Sequence, residues 1–370
     1  MVEIPHSATL SQKFLPSSKT LGMATFKTVF QLDSKPSFFE SITVRPSGTL
    51  IVTRQDTNEI WEIDPISHTG KCIVTIPDVA SVTGIAQVLP DVYAFGAGTY
   101  RLANHEGTVP GSYSVWVVDL RGTAPDVRLV VRMPEVGQLN GLAAWDAEAV
   151  LAADSYHGRI YHVDLITGNY TVAFDDDSLK DPPNALVRMG VNGIKVREVD
   201  GTKYVYYTNT TRMLFCRVPV DDDVRSTGPV EIIATGYIPE TIAAGTMFEG
   251  RSSATMPEDV EKAFTSPLPP PTTGLVPDDF CISDDGTVYM TTHPTNMVIR
   301  IPRNGGEGVV IAGGFASWDV ASATAGALGV TEADKDVLYV TTAGGNVVPI
   351  NGQTEGAKIV GIRVGEDTVA

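Results

Sequence analysis

Apolar and polar residues alternate with a period of two in six successive stretches of this chain, a pattern that predicts half-buried β-strands. Each stretch holds three such runs, separated by a turn rich in Asp, Gly or Pro and by a second polar turn. The six repeats cover residues 40–64, 83–98 with 113–120, 140–164, 192–220, 278–302, and 324–345 with 358–364. No long stretch of the repeats has the 3.6-residue period of a helix, so the fold is predicted to be all-β.

A fourth alternating run follows each of the first five repeats, whereas the sixth repeat has none downstream. The five runs are residues 71–76, 127–133, 170–174, 230–235 and 308–313. One further run, at residues 26–32, stands unpaired before the first repeat. Six four-stranded units, the last completed by the N-terminal strand, predict a six-bladed β-propeller. Circular closure removes the open sheet edges that a linear array would expose.

We therefore predict a single propeller domain over residues 26–370, preceded by an N-terminal extension over residues 1–25. The widest gap between repeats carries an insertion at about residues 236–274. Within it, residues 257–264 predict a short helix that begins at a proline, and a rigid Pro-rich stretch follows. The insertion is interpreted either as a flap beside one face of the ring or as a decorative loop. A shorter excursion at residues 98–112 leaves the second repeat from the same end.

The charge balance disfavours two classes of partner. The 370 residues include 27 Lys and Arg against 44 Asp and Glu, which gives a formal net charge of −17. Nucleic acid and anionic membrane surfaces need clustered cations, so neither is expected as a partner. No run reaches the roughly 18 to 20 apolar residues that cross a bilayer, and the first residues lack the basic and apolar regions of a signal peptide. We expect a cytoplasmic protein without membrane insertion.

Two groups of residues carry predictions about packing. Cys72, Cys216 and Cys281 lie in apolar strand-like runs without a disulfide pattern, so they are predicted to be buried free thiols. Large aromatic residues occupy equivalent third-strand positions in the first three repeats, and we expect them to pack between blades. These residues are Trp61, Trp116 and Tyr161.

Every repeat begins with a polar residue. The first strand of each propeller blade lines the central channel, so these six residues should form a ring where the strands begin. They are Glu40, Thr83, Asn140, Asn192, Asp278 and Thr324. Two carboxylates and two amides suit a hard divalent cation such as Ca²⁺ or Mg²⁺. They equally suit the water of a solvated channel, so both interpretations stay open.

The second strands end near the same face and bring cationic, aromatic and imidazole groups to the rim of this acidic floor. The candidates are Arg54, Tyr156, His157 and His293, together with Tyr100 from the excursion. A concave site with a few converging polar groups is the default hypothesis for a binding site. As alternatives, His157 and His293 are surface turn residues, and Arg54 pairs with Glu40 or Asp278.

Over residues 26–364 the chain resembles the senescence-marker-protein/gluconolactonase-like six-bladed propellers. In that family a divalent metal is held at the channel floor by a Glu at the head of the first blade, an Asn in an NG pair and an Asp in a PDG triplet. The resemblance implies the same roles for Glu40, Asn192 and Asp278, and it places Asn140 near the substrate.

The chain departs from the family pattern at two of these positions. The family's EGP is Glu40-Ser41-Ile42 here, and its PDG triplet is Pro277-Asp278-Asp279, which adds a carboxylate beside a metal ligand. The sixth repeat, at residues 327–345, resembles the fungal branch, whose members often act in secondary metabolism. Within that branch the chain is similar to hetero-Diels–Alderases that join a tropolone-type quinone methide to a sesquiterpene such as humulene.

The first hypothesis is therefore a pericyclase for an intermolecular hetero-Diels–Alder reaction. An apolar cavity would hold two hydrophobic small molecules together, and a hydrogen-bond donor would activate the carbonyl of the diene. The candidate donors are His293, His157, Tyr156, Tyr100 and Arg54. Glu40 or Asp278 would assist the loss of water from a hydroxymethyl precursor. The six ring residues would contact the substrate, with Phe248 and Trp318 in an apolar wall, and no cofactor is expected.

Two other hypotheses remain. In a metal-dependent lactone hydrolase, Glu40, Asn192 and Asp278 would hold Ca²⁺ or Mg²⁺, and the cation would polarise the lactone carbonyl. In a ligand-binding propeller the same pocket would have no catalytic role, because a fold does not fix a function. A chelator would abolish the hydrolase activity and leave the pericyclase unaffected.

Overall fold

Six small antiparallel sheets account for nearly all of the regular structure in the computed structural model, which describes residues 25–102, 107–183, 185, 187–238 and 271–364. The chain enters with β1 (Phe26–Gln31). The first blade follows as β2 (Phe39–Val44), β3 (Leu50–Arg54), β4 (Glu59–Asp64) and β5 (Thr69–Thr75). The second comprises β6 (Ser81–Leu89), β7 (Val92–Gly98), β10 (Ser114–Asp119) and β11 (Asp126–Arg132), with β8 (Tyr100–Arg101) and β9 (Gly107–Thr108) in its excursion.

The remaining blades repeat this order. The third has β12 (Leu139–Ala144), β13 (Ala149–Asp154), β14 (Arg159–Asp164) and β15 (Tyr170–Phe174), and a 3₁₀ turn follows at Asp177–Leu179. The fourth has β16 (Val191–Val199), β17 (Thr202–Asn209), β18 (Leu214–Val220), β19 (Glu231–Tyr237) and β20 (Thr272–Thr273). The fifth has β21 (Pro277–Ile282), β22 (Val288–Thr292), β23 (Met297–Ile301) and β24 (Val309–Gly313). The sixth has β25 (Ala323–Leu328), β26 (Val337–Thr342) and β27 (Lys358–Arg363).

The N-terminal strand completes the sixth blade, as the repeat count predicts. The order in that sheet is β1-β27-β26-β25, and β1 runs antiparallel to β27 with Phe26 opposite Ile362 and Gln31 opposite Lys358. The prediction of an all-β, six-bladed propeller closed from the opposite end of the chain is confirmed.

The large third-strand aromatics lie between blades, which confirms the prediction made for them. Trp116 of the second blade is buried against Ile51 and Ile60 of the first. Trp61 packs toward the sixth blade, where its ring centroid lies 6.0 Å from that of Phe30 in β1. The equivalent residue of the third blade, Tyr161, packs against core residues of the second. Burying an aromatic side chain at each of these joints stabilises neighbouring blades against each other.

The insertion after β19 returns to the same blade. β20 pairs in parallel with the end of β19, with Gly236 opposite Thr272, and makes a fifth strand. The predicted helix at residues 257–264 and the predicted wall residue Phe248 lie outside the described residues. The predicted division at residues 25 and 26, with 1–24 also outside the described residues, stays a prediction.

One cysteine prediction is wrong. Cys216 is buried and Cys281 is partly buried, but Cys72 is exposed on β5, the outermost strand of its blade. All three are free thiols. Helical structure in the described part of the chain is confined to a 3₁₀ turn, so no helix there is long enough to cross a membrane.

Candidate active site at the channel mouth

A local irregularity in the first strand of every blade determines the position of the polar residue that begins each repeat, the head residue. In all six blades the pairing between first and second strands shifts register across the head residue and the residue after it, for example between Phe39 and Ile42 in the first blade. Bulges of this kind redirect side chains out of the regular alternation. The head residues are buried at one end of the channel as a result.

Threonines on the second strands satisfy the backbone groups that these bulges leave unpaired. The Thr53 hydroxyl accepts from the amide of Ser41 at 3.0 Å, and the Thr341 hydroxyl accepts from the amide of Ala325 at 3.0 Å. In the fourth blade, Thr208 accepts from the amide of Gly193 at 2.9 Å and donates to the carbonyl of Asp278 in the next blade at 2.6 Å. The same hydroxyl thereby holds a bulge and joins two blades.

A cavity of about 510 Å³ opens where the heads converge. Its polar lining consists of Glu40, Gln55, Tyr100, Asn140, Asn192, Thr210, Asp278 and His293. Its apolar lining consists of Phe38, Leu102, Val187, Met189, Pro294, Val347, Val348 and Pro349. The volume is in the range of pockets that enclose small organic ligands. The lining of the cavity therefore combines polar groups with surface suited to hydrocarbon.

Asp278 is the centre of a fixed polar cluster on the floor. Its Oδ1 accepts from Nδ2 of Asn192 at 2.6 Å, and its Oδ2 lies 3.3 Å from Nδ1 of His293. Nδ2 of Asn192 also donates to the Thr210 hydroxyl at 3.0 Å, and that hydroxyl donates to the carbonyl of Pro277. Because the Thr210 proton is already used, Thr210 must accept from Asn192. The amide nitrogen of Asn192 therefore faces Asp278, with its orientation set by the hydrogen bonds.

Glu40 faces this cluster without a hydrogen-bond partner among the described residues. Burial raises its pKa well above the usual range, and the nearby charges of Asp278 and Asp279 raise it further. Burial also raises the pKa of Asp278, against the opposing effect of His293. The pKa of Tyr100 is raised by burial and then by the two carboxylates it faces, Glu40 and Asp278. The floor thus combines acidic groups with little access to water.

His293 has one nitrogen in contact with Asp278 and a second without a partner. Its Nε2 is buried and makes no hydrogen bond to any described group. Its ring stacks on Phe38, with centroids 5.4 Å apart and an interplanar angle of 24°. A buried polar atom in a cavity lining calls for a partner from outside the protein, such as a ligand oxygen.

Outside the lining of this cavity, an ion pair joins the fourth and fifth blades. Nζ of Lys195 lies 2.7 Å from Oδ1 and 2.9 Å from Oδ2 of Asp279. A second cavity of about 400 Å³, lined by Lys195, Cys281 and the far ends of the first strands, lies beyond the pair. Asp279 lies so close to Gly193 that a Cβ there would be 2.3 Å from Oδ1, which explains the glycine.

The donor set on the floor does not fit the metal that the family resemblance implies. Divalent Ca²⁺ or Mg²⁺ needs several converging oxygens. Asn192 turns its amide nitrogen toward Asp278, and both oxygens of Asp278 already face nitrogen atoms of Asn192 and His293.

Several predicted site residues do not line the cavity. Arg54 donates to Asp56 and Glu59 on its own blade, at 3.0 and 2.9 Å, rather than to Glu40 or Asp278. His157 pairs with buried Asp154, whose oxygens also hold backbone amides.

Four more of the predicted residues lie outside the cavity lining. Tyr156 lies beneath the guanidinium of Arg188, at 4.6 Å from ring centroid to Cζ. The Thr324 hydroxyl donates to the carbonyl of Phe39 at 2.7 Å, and Thr83 is fully buried outside the cavity lining. Trp318 does not line the cavity, and its carbonyl accepts from Nζ of Lys358.

The apolar wall was missed by sequence reasoning because it comes from connections between strands. Val187 and Met189 precede the fourth blade, and Val347, Val348 and Pro349 lie in the loop between β26 and β27. That loop is long in the sixth repeat and is tied down by Asn346, whose Nδ2 donates to the carbonyl of Ser37 at 2.5 Å. The sequence signal for this loop was the unusually large number of residues between the last two strand-like runs of the sixth repeat.

The fold and site together define a class: a six-bladed β-propeller with a half-polar, half-apolar pocket at one mouth of its channel. The chain is similar to a Phoma sp protein described as a "Putative hetero-Diels-Alderase", with 26% identity over 340 residues and 85% of each chain covered. No family model matches the chain.

Solved structures show the same fold at low identity. The calcium-binding protein regucalcin from Agrobacterium tumefaciens aligns with a TM-score of 0.57 and 17% identity, covering 92% of this chain and 95% of that one. A luciferin-regenerating enzyme aligns with a TM-score of 0.57 and 12% identity over the same shares. The resemblance identified from the sequence, both to senescence-marker-type propellers and to hetero-Diels–Alderases, is confirmed.

Proposed function

We propose that this protein is an enzyme that catalyses an intermolecular hetero-Diels–Alder addition between a quinone methide and a terpene alkene in the cavity at the channel mouth. The observation that carries the proposal is His293, whose buried Nε2 has no partner among the described residues, in the lining of a cavity with an apolar wall. The similarity to the Phoma protein, whose description names the same reaction class, supports it.

The cavity favours such a reaction by bringing the two reactants together. A bimolecular addition loses much of its rate to the entropy of association, and holding both partners in one orientation recovers several kcal/mol. The hydrocarbon would lie against Val347, Val348 and Pro349, and the oxygenated diene would face the polar floor. Both new bonds, one C–C and one C–O, form between the two bound molecules, and no atom is lost.

The polar floor supplies hydrogen bonds to the oxygen of the diene. A donor on that carbonyl withdraws electron density and activates the diene toward an electron-rich alkene. Nε2 of His293 is the primary candidate in the tautomer that carries the ring proton on Nε2, with Nδ1 and Asp278 sharing a second proton and Phe38 stacked on the ring face. Tyr100 is the second donor candidate on the floor. Gln55 and Asn140 line the same cavity and would contact the other oxygens of the substrate.

The test is product analysis with an ortho-quinone methide generated in solution and a cyclic sesquiterpene alkene. We expect the protein to accelerate the addition and to give one stereoisomer where the uncatalysed reaction gives a mixture. A chelator should leave the rate unchanged. An unaltered product mixture would favour a ligand-binding propeller, and chelator-sensitive lactone hydrolysis would favour the hydrolase.

A pair of histidine variants makes the assignment specific. His293→Gln removes the imidazole in the cavity, and His157→Gln removes an Asp-paired imidazole outside it. A hydrogen bond worth about 1.5 to 3 kcal/mol corresponds to a rate loss of roughly 10- to 150-fold, which we expect for His293→Gln alone. An equal loss in both variants would refute the role of His293 and restore His157 as a candidate.

A further inference from the structure

Three carboxylates lie close together where the first strands begin, and within the described part of the chain an ammonium group is paired with one of them. Glu40 and Asp278 line the cavity at the mouth, and Asp279 lies one residue deeper. Lys195 reaches Asp279 from the fourth blade, with Nζ within 2.9 Å of both carboxylate oxygens. The same ammonium lies 5.2 Å from the centroid of the Phe280 ring.

Each oxygen of the two aspartates already faces a nitrogen of the protein. Oδ1 of Asp278 faces Asn192 and Oδ2 faces His293, and both oxygens of Asp279 face Lys195. Oδ1 of Asp279 also accepts from its neighbour's amide, that of Phe280, at 2.8 Å. Of the three carboxylates, Glu40 alone has no described nitrogen in contact with its oxygens. One carboxylate is too few for a protein site that holds a hard divalent cation.

We propose that Lys195 takes the place of a divalent cation in this channel by holding Asp279 with its ammonium group, so that the three carboxylates bind no divalent cation. The added carboxylate that distinguishes Pro277-Asp278-Asp279 from the family triplet is the partner of that ammonium. Lys195 is thus a positioning residue, which holds Asp279 against Gly193 and the strand that carries Asp278. The inference does not depend on the reaction proposed above.

Metal titration of the purified full-length chain tests the proposal without any activity assay. After chelator treatment and dialysis, thermal unfolding and calorimetric titration are measured with Ca²⁺, Mg²⁺ and Mn²⁺. A site with a Kd near roughly 50 µM would raise the Tm by about 5 °C at about 5 mM cation. We expect a shift below about 1 °C and no saturable heat. Stoichiometric binding to the wild-type chain would overturn the proposal.

Removing the ammonium should create the divalent-cation response that the wild-type chain lacks. In Lys195→Met the Asp279 carboxylate loses its ammonium partner and lies near two other carboxylates, those of Glu40 and Asp278. We expect a lower Tm that Ca²⁺ raises by several degrees. Lys203→Met is the matched control, because Lys203 also pairs with one aspartate, Asp222, and lies over one aromatic ring, that of Trp145, but on the outside of the ring of blades.

The Ca²⁺ responses of the two variants distinguish the possible outcomes. A Ca²⁺-dependent recovery in Lys195→Met and none in Lys203→Met supports the proposal. Equal responses in the two variants would mean that Lys195 does not occupy the cation's place. If Lys195→Met does not fold, Lys195→Arg keeps the charge and should remain insensitive to Ca²⁺, and the wild-type titration decides the outcome by itself.

Discussion

Replacing Thr208 with Val tests the link between the bulged strands and the floor of the cavity. The substitution keeps the shape of the side chain and removes a fully buried hydroxyl. The Gly193 amide loses its acceptor at 2.9 Å, and the Asp278 carbonyl loses its donor at 2.6 Å. Each buried group left unsatisfied costs about 1 to 3 kcal/mol, so the free energy of unfolding should fall by roughly 2 to 6 kcal/mol.

Thermal unfolding followed by circular dichroism measures this loss. At about 2 °C per kcal/mol for a chain of this size, the Tm should fall by roughly 4 to 12 °C. Thr208→Ser keeps the hydroxyl and should lose much less, and Thr28→Val changes a threonine on the exposed side of β1 and should be close to neutral. If Thr208→Val falls no further than Thr208→Ser, the hydrogen bonds do not hold the two blades as argued.

Two further predictions concern the thiols and the closing strand. Burial raises the pKa of the Cys281 thiol to about 12 and raises that of Cys216 as well, so both stay protonated and unreactive near pH 8. Ellman's reagent should therefore titrate one fast thiol, Cys72, in the native protein and three after unfolding; three fast thiols would contradict the burial. Deleting residues 1–31 removes β1 and the burial of Val29 and Phe30, a loss of about 3 to 6 kcal/mol. It should lower the Tm and cause aggregation through the exposed edge of β27, whereas deleting residues 1–24 should not.

The architecture could be predicted from the sequence because strand counting constrains a closed ring. The run at residues 26–32 had no partner before it and the sixth repeat lacked a fourth strand, so the two had to meet. The head positions were equally regular, and four of the six, Glu40, Asn140, Asn192 and Asp278, line the cavity. Their common cause is the register shift at the start of every blade.

The rest of the site depends on contacts that have no period. Thr324 is a head residue, but its hydroxyl donates to the backbone carbonyl of Phe39, and Thr324 does not line the cavity. Arg54 points to two acids within five residues of it, Asp56 and Glu59, because local partners cost less chain entropy than distant ones. The apolar wall comes from loops such as the one with Val348, where no alternation marks which side chains face inward.

The pairing of β1 with β27 also determines when this chain can finish folding. Residue 26 finds its partner at residue 362, so the ring cannot close until residue 362 has left the ribosome. Until then the sixth blade has an open edge and the first blade lacks a neighbour on one side. Contacts this distant in sequence form slowly, and the open intermediate exposes the edges that aggregate. Opening the closed ring at this joint requires the pairs between β1 and β27 to break, so we expect the strand that delays folding also to delay unfolding.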